Sequence, residues 1–162
     1  MRAEWRTRML YVAVAIVLIL LMGGGVALER YLATRQPAVL AGRCQTHLRL
    51  LANGMRMYSL DYDERLPPGE RWTTCVDPYI QGSFLFGCPA SRDLRWGYAM
   101  NRFLSSVPMR VIAEPAQTPL LFDSALGIPN ALAHPDFAAA RHPEGANVVY
   151  IDGRVGVAHS EP

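Results

Sequence analysis

The chain has 162 residues, with 16 basic and 14 acidic side chains, a formal net charge of +2 and 51% hydrophobic residues. All the basic side chains are arginine and they are dispersed, with no basic run interleaved with aromatics, which argues against a nucleic-acid partner. Once the N-terminal apolar run is set aside, the remaining length suits one modest domain, with a core small enough to lean on a helix or a disulfide.

That apolar run, residues 9–28, reads MLYVAVAIVLILLMGGGVAL and carries no charge. About twenty such residues cross a bilayer as a helix. Arg2, Arg6 and Arg8 precede it, opposed only by Glu4, an imbalance that keeps the N-terminus cytoplasmic and sends the rest of the chain out. The competing expectation is a cleaved signal peptide, with the small residues Gly25 and Ala27 before the cut. In both cases the C-terminal part leaves the cytoplasm. Gly23, Gly24 and Gly25 suit close helix–helix approach in lipid, and equally a soft point in the helix.

Leu28, Leu32, Val39 and Leu40 extend a rough helical stripe across Pro37, which is expected to kink the helix without ending it. Cys44, Leu48, Leu51, Met55, Tyr58 and Tyr62 then recur at three- and four-residue steps, predicting an apolar face, with Arg43, Arg49, Asn53 and Arg56 opposite. This helix is expected to end between 61 and 64, before Pro67 and Pro68. The prediction is therefore a cytoplasmic tail 1–8, a membrane helix 9–28, its amphipathic continuation 29–64, and a loop-rich β domain 65–162.

Within that domain, Trp72, Val76, Tyr79 and Ile80 predict a helical turn against the main helix, and residues 84–88 an extended segment or short strand. Residues 96–104 are ambiguous between strand and helix. The stretch 114–119 is a loop, because proline restricts its predecessor as well as itself. Leu120, Leu121 and Phe122 form a strand ending at Asp123, and residues 124–140 read as a long surface loop. Residues 146–151 and 154–158 predict a β-hairpin around Asp152-Gly153, a dipeptide that favours a type I′ turn. Its apolar face needs cover, and the amphipathic helix is the obvious source.

Three cysteines, Cys44, Cys75 and Cys88, leave one thiol over if two pair outside the cytoplasm. Cys75–Cys88 closes the shorter loop, while Cys44–Cys88 ties the helix to the domain. Both pairings stay open. No cysteine or histidine spacing suggests zinc. Asp61, Asp63 and Glu64 cluster at the helix end and are weak candidates for a hard cation, lacking the glycine and distal glutamate of a calcium loop. His142 and Asp152 invite an acid–base reading, yet about 30 Å of extended chain separates them. The plainer expectation is that His142 caps a loop and Asp152 belongs to the turn. Ser105, Ser106, Ser124 and Ser160 lack a nucleophile-elbow context. No catalytic residue and no cofactor is expected.

Three segments taken together carry a family resemblance. The first runs from Cys44-Gln45-Thr46-His47-Leu48 to Asp61-Tyr62-Asp63-Glu64 and Pro67-Pro68. The second comprises Trp72, Asp77-Pro78-Tyr79-Ile80, Phe86-Gly87-Cys88-Pro89 and Gly97-Tyr98-Ala99-Met100-Asn101. The third runs from Arg141-His142-Pro143 through Asn147 to Asp152-Gly153-Arg154-Val155. In their order and spacing they resemble type IV pilin-like proteins, in particular the pseudopilin-like proteins of bacterial type II secretion. The likeness is to the prepilin-type group with a C-terminal His-x9-Asp-Gly segment, here His142, Asn147, Asp152 and Gly153. The resemblance implies an α+β fold, a long helix packed on a small antiparallel sheet. It also implies a structural subunit of a secretion or surface-fibre apparatus, anchored in the cell inner membrane, which assembles with other pilin-like subunits through its helix. The run is entered by Thr7-Arg8-Met9-Leu10, without the glycine and Phe-Thr-Leu-x-Glu of the family's processing site, which points to a permanently anchored relative, a tip-like minor subunit or a mis-called start. The alternative expectation is a stalked extracytoplasmic binding domain that does not polymerise.

Overall fold

The structure, a computed structural model, describes residues 2–91 and 93–158, and at positions 2–8, 10, 13, 34 and 35 it describes the backbone alone. The side chains of Arg2, Glu4, Arg6 and Arg8, which set the expected orientation, therefore lie outside the described part, as does Ser160. The chain divides into two compact units, Met1–Gln36 and Pro37–Pro162. One helix, α1 (Arg2–Asp61), continues through Pro37.

In the first unit Val17, Leu20, Leu21 and Met22 are exposed. The helix is long and apolar enough there to cross a membrane. A helix meets its backbone hydrogen bonds internally, so such a face costs nothing in lipid beyond its few polar groups.

In the second unit the amphipathic period is realised. Cys44, Leu48, Leu51, Met55 and Tyr58 are buried, whereas Arg43, Arg49, Asn53 and Arg56 are exposed. Each buried Leu or Met side chain contributes about 1.5–3 kcal/mol. Tyr62, expected on the same face, falls just past the helix end and is 52% exposed, stacked on the Tyr58 ring at 4.2 Å. Gly54 lets a neighbour come close: a Cβ there would meet Ile80 Cγ2 at 2.7 Å and Val76 Cγ1 at 2.9 Å.

A short helix, α2 (Trp72–Val76), packs on α1 through Trp72 and Val76. The segment expected to be extended near 84–88 is instead a 3-10 turn, Ser83–Phe86, entered at Gly82 with φ 127°. It buries Leu85 and Phe86, which a strand of alternating faces could not place together on the core.

The sheet has strands β1 (Tyr98–Asn101), β2 (Pro119–Asp123), β3 (Leu132–Ala133), β4 (Ala146–Tyr150) and β5 (Val155–Ala158) in the order β3-β1-β2-β4-β5. The fold is α+β, but the expected all-antiparallel sheet is corrected to a mixed one, because β3 pairs parallel with β1. The expected surface loop 124–140 supplies that strand. It is held by Trp72 Nε1–H donating to Ala131 O (3.2 Å), Met100 N–H donating to the same carbonyl (2.9 Å), and Asn130 Oδ1 accepting from Thr73 N–H and hydroxyl (2.9 and 2.6 Å). A two-residue strand carries no readable period, so these long-range bonds alone define it.

The hairpin forms as expected, but its turn differs. Only Gly153 of the Asp152-Gly153 pair has positive φ (87°), Gly153 N–H donates to Tyr150 O (2.9 Å) and Tyr150 N–H to Arg154 O (2.9 Å). This is a three-residue loop with glycine at the bulge position in place of a type I′ turn.

The acidic residues at the end of α1 do not converge on a cation site. Asp61 Oδ2 accepts the Tyr79 hydroxyl at 2.7 Å, and Asp63 and Glu64 turn the chain with φ of 53° and 57°. That hydrogen bond, followed by partial desolvation and the Asp61 charge, pushes Tyr79 up to about 12. The neutral phenol is the form that folding favours. Its contribution is whole below the ordinary tyrosine range near 10 and is lost as pH rises toward 12. Alkaline spectrophotometric titration should find one phenol with a midpoint near 12, moved back toward 10 in Asp61→Asn. An unmoved midpoint would dismiss Asp61 as the cause.

Candidate functional site

Strand alternation sorts the helix-facing side of the sheet into rows. One row is apolar: Met100, Leu121, Val149 and Val155, by the registers Met100↔Leu121, Leu121↔Val149 and Val149↔Val155. The next row is polar in its first three members, Tyr98 opposite Asp123 and then Asn147, and ends on the apolar Val157. Tyr98, Asp123 and Asn147 are 2%, 0% and 1% exposed, so each needs partners to offset lost hydration.

Most of those partners come from α1 and from the loop before β4. The Tyr98 hydroxyl donates to Cys44 O (3.4 Å), Gln45 Nε2 donates to Asn147 Oδ1 (3.1 Å) and Asn147 Nδ2 to Ala41 O (3.5 Å). Asp123 Oδ2 accepts the Asn147 N–H at 2.7 Å and faces His142 Nε2 at 3.1 Å. His142 is fixed by a tight turn, since its backbone N–H donates to Gly145 O (3.1 Å) and its carbonyl accepts from Gly145 N–H (3.0 Å). Its ring is buried, and its Nε2 also lies 3.7 Å from Cys88 Sγ. Arg141 lies partly buried beside it and donates through Nη2 to Ser124 O. Asp123 Oδ1, His142 Nδ1 and Arg141 Nη1 are buried without a hydrogen-bond partner. Burial first, and then the Asp123 charge, push the Tyr98 phenol well above the ordinary tyrosine range, so it stays neutral while folded.

The disulfide is Cys44–Cys88, with Cα atoms 5.3 Å apart, and it joins α1 to the loop after the 3-10 turn. Of the two pairings left open by the sequence, this is the one that ties the helix to the domain. Cys75 is a free thiol, partly buried. Gly97 holds the loop against the sheet: its N–H donates to Phe86 O and its carbonyl accepts from Ser124 N–H, both at 2.8 Å. A Cβ on Gly97 would meet the Cys88 backbone nitrogen at 2.6 Å, which no side-chain motion relieves. Gly97→Ala should therefore cost about 1–3 kcal/mol, read by thermal denaturation. A neutral result would mean that the Cys88 loop moves freely.

His142 and Asp152 are not brought together as partners. Asp152 Oδ1 accepts the Arg154 N–H at 2.9 Å within the hairpin loop, and Gly153 supplies its positive φ. The residue that meets His142 is Asp123, which the sequence reading did not single out. Its signal was present: Asp123 ends the apolar Leu120–Phe122 run on the same parity as Leu121, which places a carboxylate on the buried face. Ser105 Oγ accepts the Gly69 N–H (2.8 Å) and Ser124 Oγ the Leu126 N–H (3.2 Å), both structural uses.

The sulfur beside the imidazole–carboxylate pair is held in a disulfide, so it is not present as a thiolate, the reactive form of cysteine. A cavity of about 240 Å³ adjoins the site, lined by Ala41, Gly42, Gln45, His142, Glu144 and Asn147 among others. Compared with protein-family models, curated proteins and solved structures, the chain matches none at a significant level.

Proposed function

We propose that this chain is a membrane-anchored, pilin-like structural subunit of a bacterial secretion or surface-fibre apparatus. In this reading it has no catalysis of its own, its N-terminus is cytoplasmic and its folded domain lies outside the inner membrane. The observation that carries the reading is the division of labour along α1. Its first part presents exposed apolar side chains over a length that spans lipid, and its last part is covered by a five-stranded sheet. One helix thus supplies an anchor, a surface for other helices, and the spine of the domain. The resemblance of the three sequence segments to pseudopilin-like proteins adds to this, and secretion-machine components or other pilin-like subunits are the partners it implies.

The chain has no lysine, so amine-reactive crosslinkers are unsuited to it. A photoreactive residue at Leu20, in membranes, tests the reading directly. A ladder of oligomers is expected, and a clean monomer would remove the filament role. The second reading, a non-polymerising stalked binding domain, is favoured by the cavity beside Gln45 and Asn147. It predicts a single crosslinked partner of constant size in place of a ladder.

A further inference from the structure

Among the described residues, one set of three or more metal-ligating side chains converges: Cys44, Cys88 and His142, whose ligand atoms all lie within 4.8 Å of one another and are all buried. Asp123 adds a fourth donor, 3.1 Å from His142 Nε2. The four come from α1, the loop after the 3-10 turn, the end of β2 and the turn before β4, which explains why no sequence spacing announced them.

We propose that the reduced form of this site binds zinc, so that Cys44 and Cys88 have two alternative states, a disulfide or a pair of thiolate ligands. Two thiolates, an imidazole and a carboxylate form a donor set that tetrahedral zinc accepts. With bonds of about 2.0–2.3 Å, neighbouring ligand atoms around tetrahedral zinc sit roughly 3.3–3.8 Å apart. His142 Nε2 is already 3.7 Å from Cys88 Sγ and 3.1 Å from Asp123 Oδ2, close to that spacing. The two sulfurs must separate to admit the ion, and Asp123, which lies outside the converging set of three, must close on it. Asp123 Oδ1, fully buried and without a partner, is the unmet acceptor that a cation would satisfy. Two thiolates and the carboxylate leave the zinc site one negative charge in excess; Arg141, next in sequence to His142, has its guanidinium held at the carbonyl of Ser124, the residue after Asp123, with Nη1 buried and without a partner.

The conversion balances with a dithiol as reductant. Two electrons from the dithiol break the Cys44–Cys88 bond, the dithiol closes to its own disulfide, and its two hydrogens pass to the protein sulfurs. Zinc then displaces both thiol protons to solvent, so uptake weakens as pH falls.

Cobalt(II) is the probe, added to the full chain in detergent after reduction by a water-soluble phosphine. Reduced protein should take up one equivalent, showing the visible bands of tetrahedral cobalt and a near-ultraviolet thiolate charge-transfer band, both removed by added zinc. Oxidised protein should show neither, and Cys75→Ser should leave the spectrum unchanged. His142→Ala should weaken binding by at least about tenfold. Because that variant can lose its fold, the wild type carries a second measurement: zinc should raise the thermal midpoint of the reduced chain and leave that of the oxidised chain unmoved. Reduced protein without cobalt bands, bands that persist in Cys44→Ser, or metal uptake with no rise in midpoint would each overturn the proposal.

Discussion

Replacing Cys44 and Cys88 together with alanine is expected to lower the stability of the folded domain by about 4 kcal/mol. The two residues are 44 apart in sequence, and the entropy of closing a loop of that length in the unfolded chain amounts to about 4 kcal/mol at room temperature. Part of the loop is the last segment of α1. Residual helix in the unfolded chain would already restrict it and pull the figure toward about 2 kcal/mol. The rest of the domain has little to spare, since a natural domain of this size is stable by only about 5–15 kcal/mol. Urea unfolding of the full chain in detergent, followed by the fluorescence of buried Trp72, reads the difference. A loss below about 1 kcal/mol would show that the helix is held on the sheet by packing alone.

Asp123→Ala is expected to cost about 3–5 kcal/mol, the order of penalty met when the carboxylate of a buried, hydrogen-bonded pair is removed. The alanine strips the Asn147 N–H of its acceptor and His142 Nε2 of its neighbour, and leaves both buried. Asp123→Asn should cost distinctly less, because an amide oxygen in the same place still accepts the Asn147 N–H. The order, alanine worse than asparagine, separates a lost hydrogen-bond acceptor from a lost charge. Equal losses in the two variants would assign the whole effect to the charge. The polar row is weak evidence of net stabilisation, since buried ionic groups can often be replaced by packed apolar ones without loss. Its clearer effect is positional: Tyr98 and Asn147 bond the Cys44 and Ala41 carbonyls, and so specify where α1 lies along the strands.

Several features were legible from residue order because they depend on neighbours within one or two turns. The apolar run, the period from Cys44 to Tyr58, the Leu120–Phe122 strand and the final hairpin are all local patterns. Each has a direct physical cause, a helix or strand face that must leave water. Glycine at the hairpin was legible too, though not the turn type, which depends on how β4 and β5 close around it.

What the sequence by itself determined, then, is which segments bury a face, and hence an α+β chain with an apolar anchor-like helix. Only the tertiary structure decided that Cys44 pairs with Cys88, that Asp123 and not Asp152 meets His142, that Ser83–Phe86 coils instead of extending, and that Leu132–Ala133 joins the sheet in parallel. These outcomes rest on contacts between residues 19 to 44 or more positions apart, or on backbone bonds to distant carbonyls. No local periodicity encodes such pairs, because they exist only once the helix lies across the sheet.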